Sequence, residues 1–297
     1  MATITNNGKS LNEKINDVMT SGMSNRQKQN ELVKLGLQPH EVYLMLNTKA
    51  WQTSGFDIQK LTFGVEIECY NVERADLIDE ASLRGLQVRS EGYNHDDNEH
   101  YYKIVRDGSL TGDNSQEVVS PILNGEKGFN SLRTLCSALG SVNAKVNRSC
   151  GLHVHIGAAC MTDEHYCRLV RNYQRLEGVI DTFMALSRRG NNSRWCHTLQ
   201  GIDFSACTTK RQILAAMNFD RYYKVNACAY ERHHTIEFRQ HQGTTDYEKI
   251  SNWVRFLAKL VEYSYKHEVT SCTRIEDVPF LTDEEKLYFI RRRAALN

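Results

Sequence analysis

The chain has 297 residues, of which 40% are hydrophobic and 25% charged, as is usual for a soluble globular protein. Its formal net charge is +1, so no overall field attracts it to nucleic acid or to an anionic membrane. It contains no run of about 18 apolar residues, and its N-terminus lacks the basic and apolar regions of a signal peptide. We therefore expect a protein without membrane contacts.

The nine cysteines are odd in number and form no Cys-x-x-Cys pair. This pattern disfavours both a zinc ribbon and a disulfide framework. Cys69 and Cys228 lie in apolar surroundings, where a reduced thiol packs as a small hydrophobic group. This use of cysteine predicts a reducing, cytoplasmic location.

Residues 1–55 predict a small helical appendage, with helices over Leu11–Met19, Arg26–Leu35 and Pro39–Leu46. The third segment has no arginine or lysine to reach a base edge, which disfavours DNA binding. Packing on the main domain or on a protein partner is the favoured interpretation. Residues 56–297 are predicted to form the main domain.

From Leu61 onward the hydrophobic period changes from helical to alternating. The predicted strands are Leu61–Cys69, Gln87–Ser90, Tyr101–Arg106, Glu117–Pro121, Gly151–Ile156, Lys224–Tyr230 and His234–His241. The predicted helices cover residues 130–143, 163–188, 208–217 and 246–266, and Thr282 with Glu285 forms a capping box for a last helix. Because β-α-β alternation is absent, the order predicts an α+β domain with a mainly antiparallel sheet, helices on one face and a ligand cleft on the other.

The polar face of this sheet has an unusual composition. The strands repeat Glu66-x-Glu68, His153-x-His155 and Glu237-x-Arg239, each with apolar residues on the opposite face. An ordinary antiparallel sheet with one wet face also alternates, but it mixes lysine, threonine, serine and glutamine. Three strands with titratable pairs favour a functional site.

Carboxylates on neighbouring strands repel one another unless a cation or protons compensate. Hard oxygen ligands of this kind suit Mg²⁺, which retains waters and phosphate oxygens in its shell. The His-x-His strand leaves open a zinc or iron hydrolase site, although no His-Glu-x-x-His helix is present and carboxylates outnumber the histidines.

Cations near the last two strands suit phosphate or a substrate carboxylate. They are Arg221, Lys224, Arg232 and Arg239. Arg239 is the favoured one because it shares a face with Glu237. The Asp107-Gly-Ser109 segment predicts a turn beside the sheet, and Gly151 marks a position where a ligand can approach the backbone.

The ordered motifs resemble the amidoligase family, a group of carboxylate-amine ligases with a glutamine synthetase-like catalytic fold. They are Gly64-Val-Glu66-Ile-Glu68, Asp107-Gly-Ser, Glu117-Val-Val-Ser-Pro121, Cys150-Gly-Leu-His153-Val-His155 and Thr235-Ile-Glu237-Phe-Arg239-Gln-His-Gln-Gly243-Thr244. The resemblance runs from about Leu61 to about Lys266 and leaves out the N-terminal 55 residues.

The resemblance implies an enzyme that uses ATP and Mg²⁺ to form an amide bond through an acyl phosphate. It implies Glu66, Glu68, Glu117, Glu237 and His153 as metal ligands, and Glu66, Glu237, Arg239 and His153 as catalytic residues. It implies contacts to the nucleotide from Lys224, Asn226, Arg239 and His155. The acid and the amine, small molecules or peptides, are not identified, since the family is spread among phages and bacteria with different substrates. The oligomeric state also stays open.

Two other interpretations remain beside the ligase. One is a metal-dependent hydrolase built on His153 and His155. The other is a non-catalytic module that binds a partner through its N-terminal helices. The second is disfavoured because every motif carboxylate is present.

Overall fold

A computed structural model describes residues 11–37, 42, 58–92, 94 and 98–296 of the chain. The chain divides into two compact units. One unit is Ser54–Thr270, and the other joins Met1–Thr53 to Ser271–Asn297. The predicted helix Pro39–Leu46 lies outside the described residues, apart from Val42. The division of the chain after residue 55 stays a prediction.

The helices of the described residues are α1 Leu11–Thr20, α2 Asn25–Lys34, α3 Arg74–Leu83, α4 Gly125–Ser141, α5 Asp163–Thr182, α6 Lys210–Ala216, α7 Ala229–His233, α8 Tyr247–Ser264 and α9 Asp283–Ala294. The strands are β1 Thr62–Cys69, β2 Val88–Ser90, β3 Tyr102–Val105, β4 Gln116–Val119, β5 Leu123–Asn124, β6 Gly151–Gly157, β7 Val225–Asn226 and β8 Thr235–Gln242. The fold is therefore of the α+β class.

One sheet in the unit Ser54–Thr270 contains all of these strands, in the order β2-β3-β4-β1-β6-β8-β7, and β5 also pairs with β1. The pairings between these described strands are antiparallel, except that β2 and β3 run parallel, so the sheet is mixed. The central strand β1 lies between β4 and β6. The motif strands predicted from the sequence are thus direct neighbours.

Helices α4, α5 and α8 cover the apolar face of the sheet. Phe129 of α4 stacks on Phe63 of β1 with ring centroids 4.7 Å apart. Tyr173 of α5 lies 5.5 Å from Phe238 of β8, and Trp253 of α8 lies 5.9 Å from His241. Burial of these rings leaves the opposite face, with its titratable residues, free to form a cleft.

The helix predicted over residues 163–188 ends at Thr182, six residues early. Its start is as expected, since Thr162 accepts a hydrogen bond from the backbone of His165. Past Thr182 the chain folds back, because Asp181 accepts a hydrogen bond from Gly190 N at 2.9 Å. A short 3₁₀ turn, Leu186–Arg188, replaces the end of the predicted helix. Apolar periodicity alone did not reveal this break.

The strand predicted over Lys224–Tyr230 is wrong beyond Asn226, since only Val225–Asn226 pairs and helix α7 follows. The Asn226 side chain accepts a hydrogen bond from Cys228 N at 2.9 Å, which turns the chain out of the sheet. Helix α3 has no counterpart among the predicted helices. It buries only Leu77 and Ala81, and this apolar stripe is too short to indicate a helix in the sequence.

The smaller unit packs α1, α2 and α9 around an apolar cluster. Its members are Ile15, Val18, Leu32, Leu37, Val42 and Leu287. The predicted capping box at the last helix is confirmed: Thr282 accepts from Glu285 N, and the Glu285 carboxylate accepts from Thr282 N. Gly36 adopts a left-handed conformation with φ +92° just past α2, as expected of a glycine at a helix end.

All nine cysteines are free thiols, in agreement with the expected absence of a disulfide framework. Within the described ranges, the helices fall short of the length and apolar character needed to cross a membrane.

Gly243 provides a test of the packing that joins β8 to the start of β6. A Cβ at this position would lie 2.5 Å from Cys150 Cβ and 3.0 Å from the Cys150 backbone. We expect Gly243→Ala to lower the unfolding free energy by about 1–3 kcal/mol, because the backbone must shift to admit the methyl group. Urea denaturation measures this change.

The matched control is Gly140→Ala in α4, where a Cβ meets nothing within 4 Å. This control should leave the unfolding free energy unchanged or raise it by up to about 1 kcal/mol. Equal effects of the two substitutions would contradict the packing argument.

Candidate active site

The titratable pairs of the motif strands meet on one face of the sheet because the strand register aligns them. Glu66 of β1 lies opposite His153 of β6, and Glu68 lies opposite Glu117 of β4. One step further across the sheet, His155 lies opposite Glu237 of β8. Directly opposed residues on one face have Cβ atoms about 4.5–5.5 Å apart, so the side chains reach one another.

Glu66, His153 and Glu237 form the centre of the site. Each offers one ligand atom, and these atoms all lie within 4.8 Å of one another. His153 Nδ1 lies 2.8 Å from Glu66 Oε2 and 3.8 Å from Glu237 Oε1. This geometry brings three donors from three neighbouring strands to the place that one cation would occupy. We call these three residues the central triad.

Two more predicted ligands border the central triad. Glu68 Oε1 lies 3.6 Å from His153 Nε2, and its other oxygen accepts a hydrogen bond from Gly151 N. Glu117 is buried beside Glu66 and Glu68. The structure thus gathers all five residues expected to hold a metal, and both histidines of the His-x-His strand.

Neighbouring side chains fix the orientation of Glu237 and His155. Glu237 accepts hydrogen bonds from the Asn226 amide and from Arg239 Nη1. His155 Nδ1 lies 2.9 Å from Thr235 Oγ1, which leaves its Nε2 3.3 Å from Glu66 Oε1. Asn226 and Arg239 therefore act on the central triad through Glu237. Arg239 is held further by Trp195 O, 3.3 Å from its Nε.

The carboxyl groups of the site have pKa values shifted in opposite directions. Burial raises the pKa of Glu66, but its contacts with His153 and His155 outweigh burial and hold that pKa well below the usual value. Burial likewise opposes ionisation of Glu237, and Arg239 with His155 keeps its pKa low. The pKa of Glu117 is raised well above the usual value by burial and by repulsion from Glu66 and Glu68. These shifts favour the ionised form of Glu66 and Glu237 and the protonated form of Glu117.

A cleft of about 1410 Å³ lies over this face of the sheet, and the central triad forms part of its wall. At one side the predicted turn is present, with Ser109 N donating to Asp107 Oδ1 at 2.7 Å. At the other side, Trp195 and Tyr222 pack edge to face with ring centroids 5.1 Å apart. The cleft is large enough for a nucleotide-sized ligand together with a second small molecule.

Lys224 is the one predicted site residue that the structure does not bring to the cleft. Its side chain is fully buried, and its ammonium lies 2.8 Å from Glu177 and 2.7 Å from Asp181 of α5. Its backbone nevertheless borders the site, because Arg239 N donates to Lys224 O at 2.9 Å. A contact of this side chain with a nucleotide stays a prediction.

Arg188 and Trp195 line the cleft but were not predicted from the sequence. The helix predicted over residues 163–188 ends at Arg188, so the sequence pattern gives no reason to place this side chain in a cleft. The Gly190-Asn191-Asn192 segment is a turn signal that indicates an earlier end of the helix. Nothing in the sequence pattern near Trp195 indicates a cleft residue.

Comparison with known protein families matches residues 59–261 to the family described as "Putative amidoligase enzyme". The matched range includes every strand of the sheet and every residue of the central triad. No curated protein matches the chain.

The opposite pKa shifts predict opposite effects of two conservative substitutions in metal-free buffer. An acid whose folded pKa is raised takes up protons on folding, so its contribution to stability falls as pH rises above the usual carboxyl range. Glu117→Gln should therefore raise the unfolding free energy at pH 8 by about 1–3 kcal/mol and have little effect at pH 4. Urea denaturation with EDTA at the two pH values measures this.

Glu66→Gln is the matched comparison. The folded pKa of Glu66 is depressed, so its ionised form stabilises the fold above the usual carboxyl range and this contribution is lost as pH falls. This substitution should lower the unfolding free energy at pH 8. If both variants were destabilised equally at that pH, the assignment of charge in the site would be wrong.

Proposed function

Because the chain belongs to the amidoligase family, we propose that it is an ATP- and Mg²⁺-dependent carboxylate-amine ligase with a glutamine synthetase-like catalytic fold. The observation that supports this most directly is the central triad, bordered by Glu68 and Glu117 on the wall of a large cleft. The acid and the amine are small molecules or peptides that enter this cleft.

The donor set fits a divalent cation. Four carboxylates crowd one face, and the raised pKa of Glu117 reflects its burial and also its repulsion from Glu66 and Glu68, which a cation would relieve. Carboxylate oxygens are the ligands that Mg²⁺ prefers, and it takes few protein ligands because it retains water and phosphate oxygens. Glu66, Glu237 and His153 would hold the ion, with Glu68 and Glu117 beside them. A bound Mg²⁺ supplies charge neutralisation for the phosphate oxygens of ATP.

The reaction we propose has two steps. An oxygen of the substrate carboxylate bonds to the γ-phosphorus of ATP, the bond to the β-phosphate oxygen breaks, and ADP leaves. The amine nitrogen then attacks the carbonyl carbon of the acyl phosphate, inorganic phosphate leaves, and the nitrogen loses a proton. Both steps need positioning and charge stabilisation more than a protein nucleophile, which agrees with a site of carboxylates and cations without an activated thiol or hydroxyl.

The protein side chains have distinct parts in this scheme. Arg239 places a permanent positive charge beside Glu237, and its guanidinium also lies 5.9 Å from the Tyr222 ring. It would help to stabilise negative charge on the transferring phosphoryl group. Asn226 holds Glu237 from the other side, and Thr235 holds His155, so both groups are oriented before the substrates bind.

A metal-dependent hydrolase is a second candidate, favoured by one observation. His153 is a member of the central triad, and imidazole suits zinc or iron better than it suits Mg²⁺. Metal analysis of protein purified without added metal distinguishes the two. Stoichiometric zinc or iron supports the hydrolase, whereas metal binding only in millimolar Mg²⁺ supports the ligase.

We expect Mg²⁺ with a non-hydrolysable ATP analogue to raise the melting temperature of the native protein, since a ligand that binds only the folded state stabilises it. Glu66→Gln and Glu237→Gln should abolish the Mg²⁺-dependent shift, because each removes one charged ligand of the central triad. In turnover assays with panels of acids and amines, the wild type should release ADP and phosphate in equal amounts, and the same variants should lower that rate at least 100-fold.

A matched control is Glu262→Gln, an exposed change of the same type on α8 away from the cleft. It should retain the full thermal shift and rate. Absence of nucleotide binding by calorimetry, together with intact ATP across the whole substrate panel, would overturn the ligase proposal.

A further inference from the structure

Arg188 is a buried guanidinium at the wall of the cleft. It ends the 3₁₀ turn Leu186–Arg188, and only 3% of its surface is exposed. Its Nη2 donates to Cys150 O at 2.7 Å, and its Nη1 lies 4.0 Å from Cys196 Sγ. Within the described part of the chain, no carboxylate lies within ion-pairing distance of this side chain. Since a guanidinium has five N–H donors, most of its hydrogen-bonding capacity is unused.

Two other cations near the site are paired with carboxylates. Lys224 lies between Glu177 and Asp181, and Arg239 is bound to Glu237 and Trp195 O. Burial of a charge without a counter-charge is strongly unfavourable, so proteins rarely keep one without a use for it. Arg188 differs from these two in having, among the described residues, no carboxylate within ion-pairing distance.

Arg188 also lies next to the central triad. A Cβ placed on Gly151 would be 3.0 Å from Arg188 Nη2 and 3.2 Å from His153 Nε2. The missing side chain at position 151 therefore leaves room for the guanidinium and the imidazole to approach the same point. His153 Nε2 also lies 3.6 Å from Glu68 Oε1, so Arg188 approaches the central triad from the side of Glu68.

We infer that Arg188 is the oxyanion-binding residue of this site. Its free N–H groups would bind two oxygens of one anionic group, as guanidinium forks do with phosphate and carboxylate. The anion is either the γ-phosphoryl group of the nucleotide or the carboxylate of the acid substrate. Naming these two rests on the proposed function, but the prediction of anion binding at Arg188 does not.

Arg188 and Arg239 then have different roles in the cleft. Arg239 tunes and positions Glu237, because its donors already contact that carboxylate and Trp195 O. Arg188 contributes donors that are in place and unoccupied before the ligand arrives. Donors fixed in this way do not have to reorganise when negative charge develops on the bound group.

The test measures stabilisation of the folded protein by small anions, using Arg188→Gln and Arg188→Lys. Inorganic phosphate is titrated in three states: with Mg²⁺ alone, with Mg²⁺-ADP, and with neither. Acetate is titrated with Mg²⁺ and a non-hydrolysable ATP analogue, which occupies the phosphate positions. We expect an anion to raise the melting temperature of the wild type, and its apparent affinity for Arg188→Gln to be about 10- to 100-fold weaker.

Comparison of the phosphate titration with the acetate titration identifies the anion. Loss of the phosphate effect in the presence of Mg²⁺-ADP assigns Arg188 to the γ-phosphoryl group, and loss of the acetate effect assigns it to the substrate carboxylate. Arg188→Lys keeps the charge but not the two-pronged geometry, so it should recover part of the affinity. Arg148→Gln, an exposed arginine outside the cleft, is the control and should respond as the wild type does.

A purely structural role for Arg188 makes a different prediction. If its main task were to hold Cys150 O, Arg188→Gln would melt well below the wild type without any anion. Removal of an unpaired buried charge should instead leave that melting temperature equal or higher. Gly151→Ala is a second perturbation that presses on the guanidinium and on His153 Nε2 without changing the charge, and it should weaken anion binding too.

The inference fails if both anions stabilise Arg188→Gln as much as the wild type, or if neither stabilises the wild type. Failure of the ligase proposal has another signature. In that case the ATP analogue would not bind the wild type, while phosphate without nucleotide would still stabilise it in a manner that depends on Arg188.

Discussion

Mutual repulsion among four carboxylates, three of them buried, is the constraint around which the cleft side of this sheet is organised. Glu66, Glu68, Glu117 and Glu237 are brought together by strand register, so they cannot separate without loss of the ladder that holds the sheet. Two histidines and Arg239 offset part of the charge, which lowers the pKa of Glu66 and Glu237. For Glu117, in contrast, burial and repulsion from Glu66 and Glu68 raise the pKa. A cation bound among these carboxylates would relieve their repulsion.

A second buried network, on the helix side of the sheet, supports the positions of the cleft residues. Lys224 bridges Glu177 and Asp181 of α5, while its backbone oxygen accepts from Arg239 N. Asp181 also accepts from Gly190 N and thereby turns the chain back after α5, which carries Arg188 to the cleft. One buried ion cluster thus fixes both the strand that presents Arg239 and the turn that presents Arg188. Separating one partner from such a cluster would leave an uncompensated buried charge, which is strongly unfavourable. The cluster is therefore expected to hold both segments in place.

Much of the sheet could be predicted from the sequence, because alternation along a strand is a local property. The faces of β1, β6 and β8 were correct, and pairing of these strands then placed Glu66, His153 and Glu237 together. The points at which a helix or strand ends were harder to predict. The end of α5 at Thr182 depends on the contact of Asp181 with Gly190, and the end of β7 on the Asn226 side chain. Both are side-chain to backbone bonds that hydrophobic periodicity does not register.

One of the residues missed in the site is explained by the end of α5. Arg188 is not recognisable as a cleft residue within a helix that runs to residue 188, whereas the nucleotide contact of Lys224 was implied by the family resemblance and not by its place in a strand. In the structure, Lys224 is paired with carboxylates inside the protein. Arg188 instead lies at the cleft wall and, among the described residues, has no carboxylate within ion-pairing distance. A catalytic site gains most from donors that are fixed and unpaired before the ligand binds, since their interaction is then strongest where charge develops. The end of α5 at Thr182 places Arg188 at the cleft wall beside the carboxylate cluster, so the anion-binding role that we infer for Arg188 depends on where this helix ends.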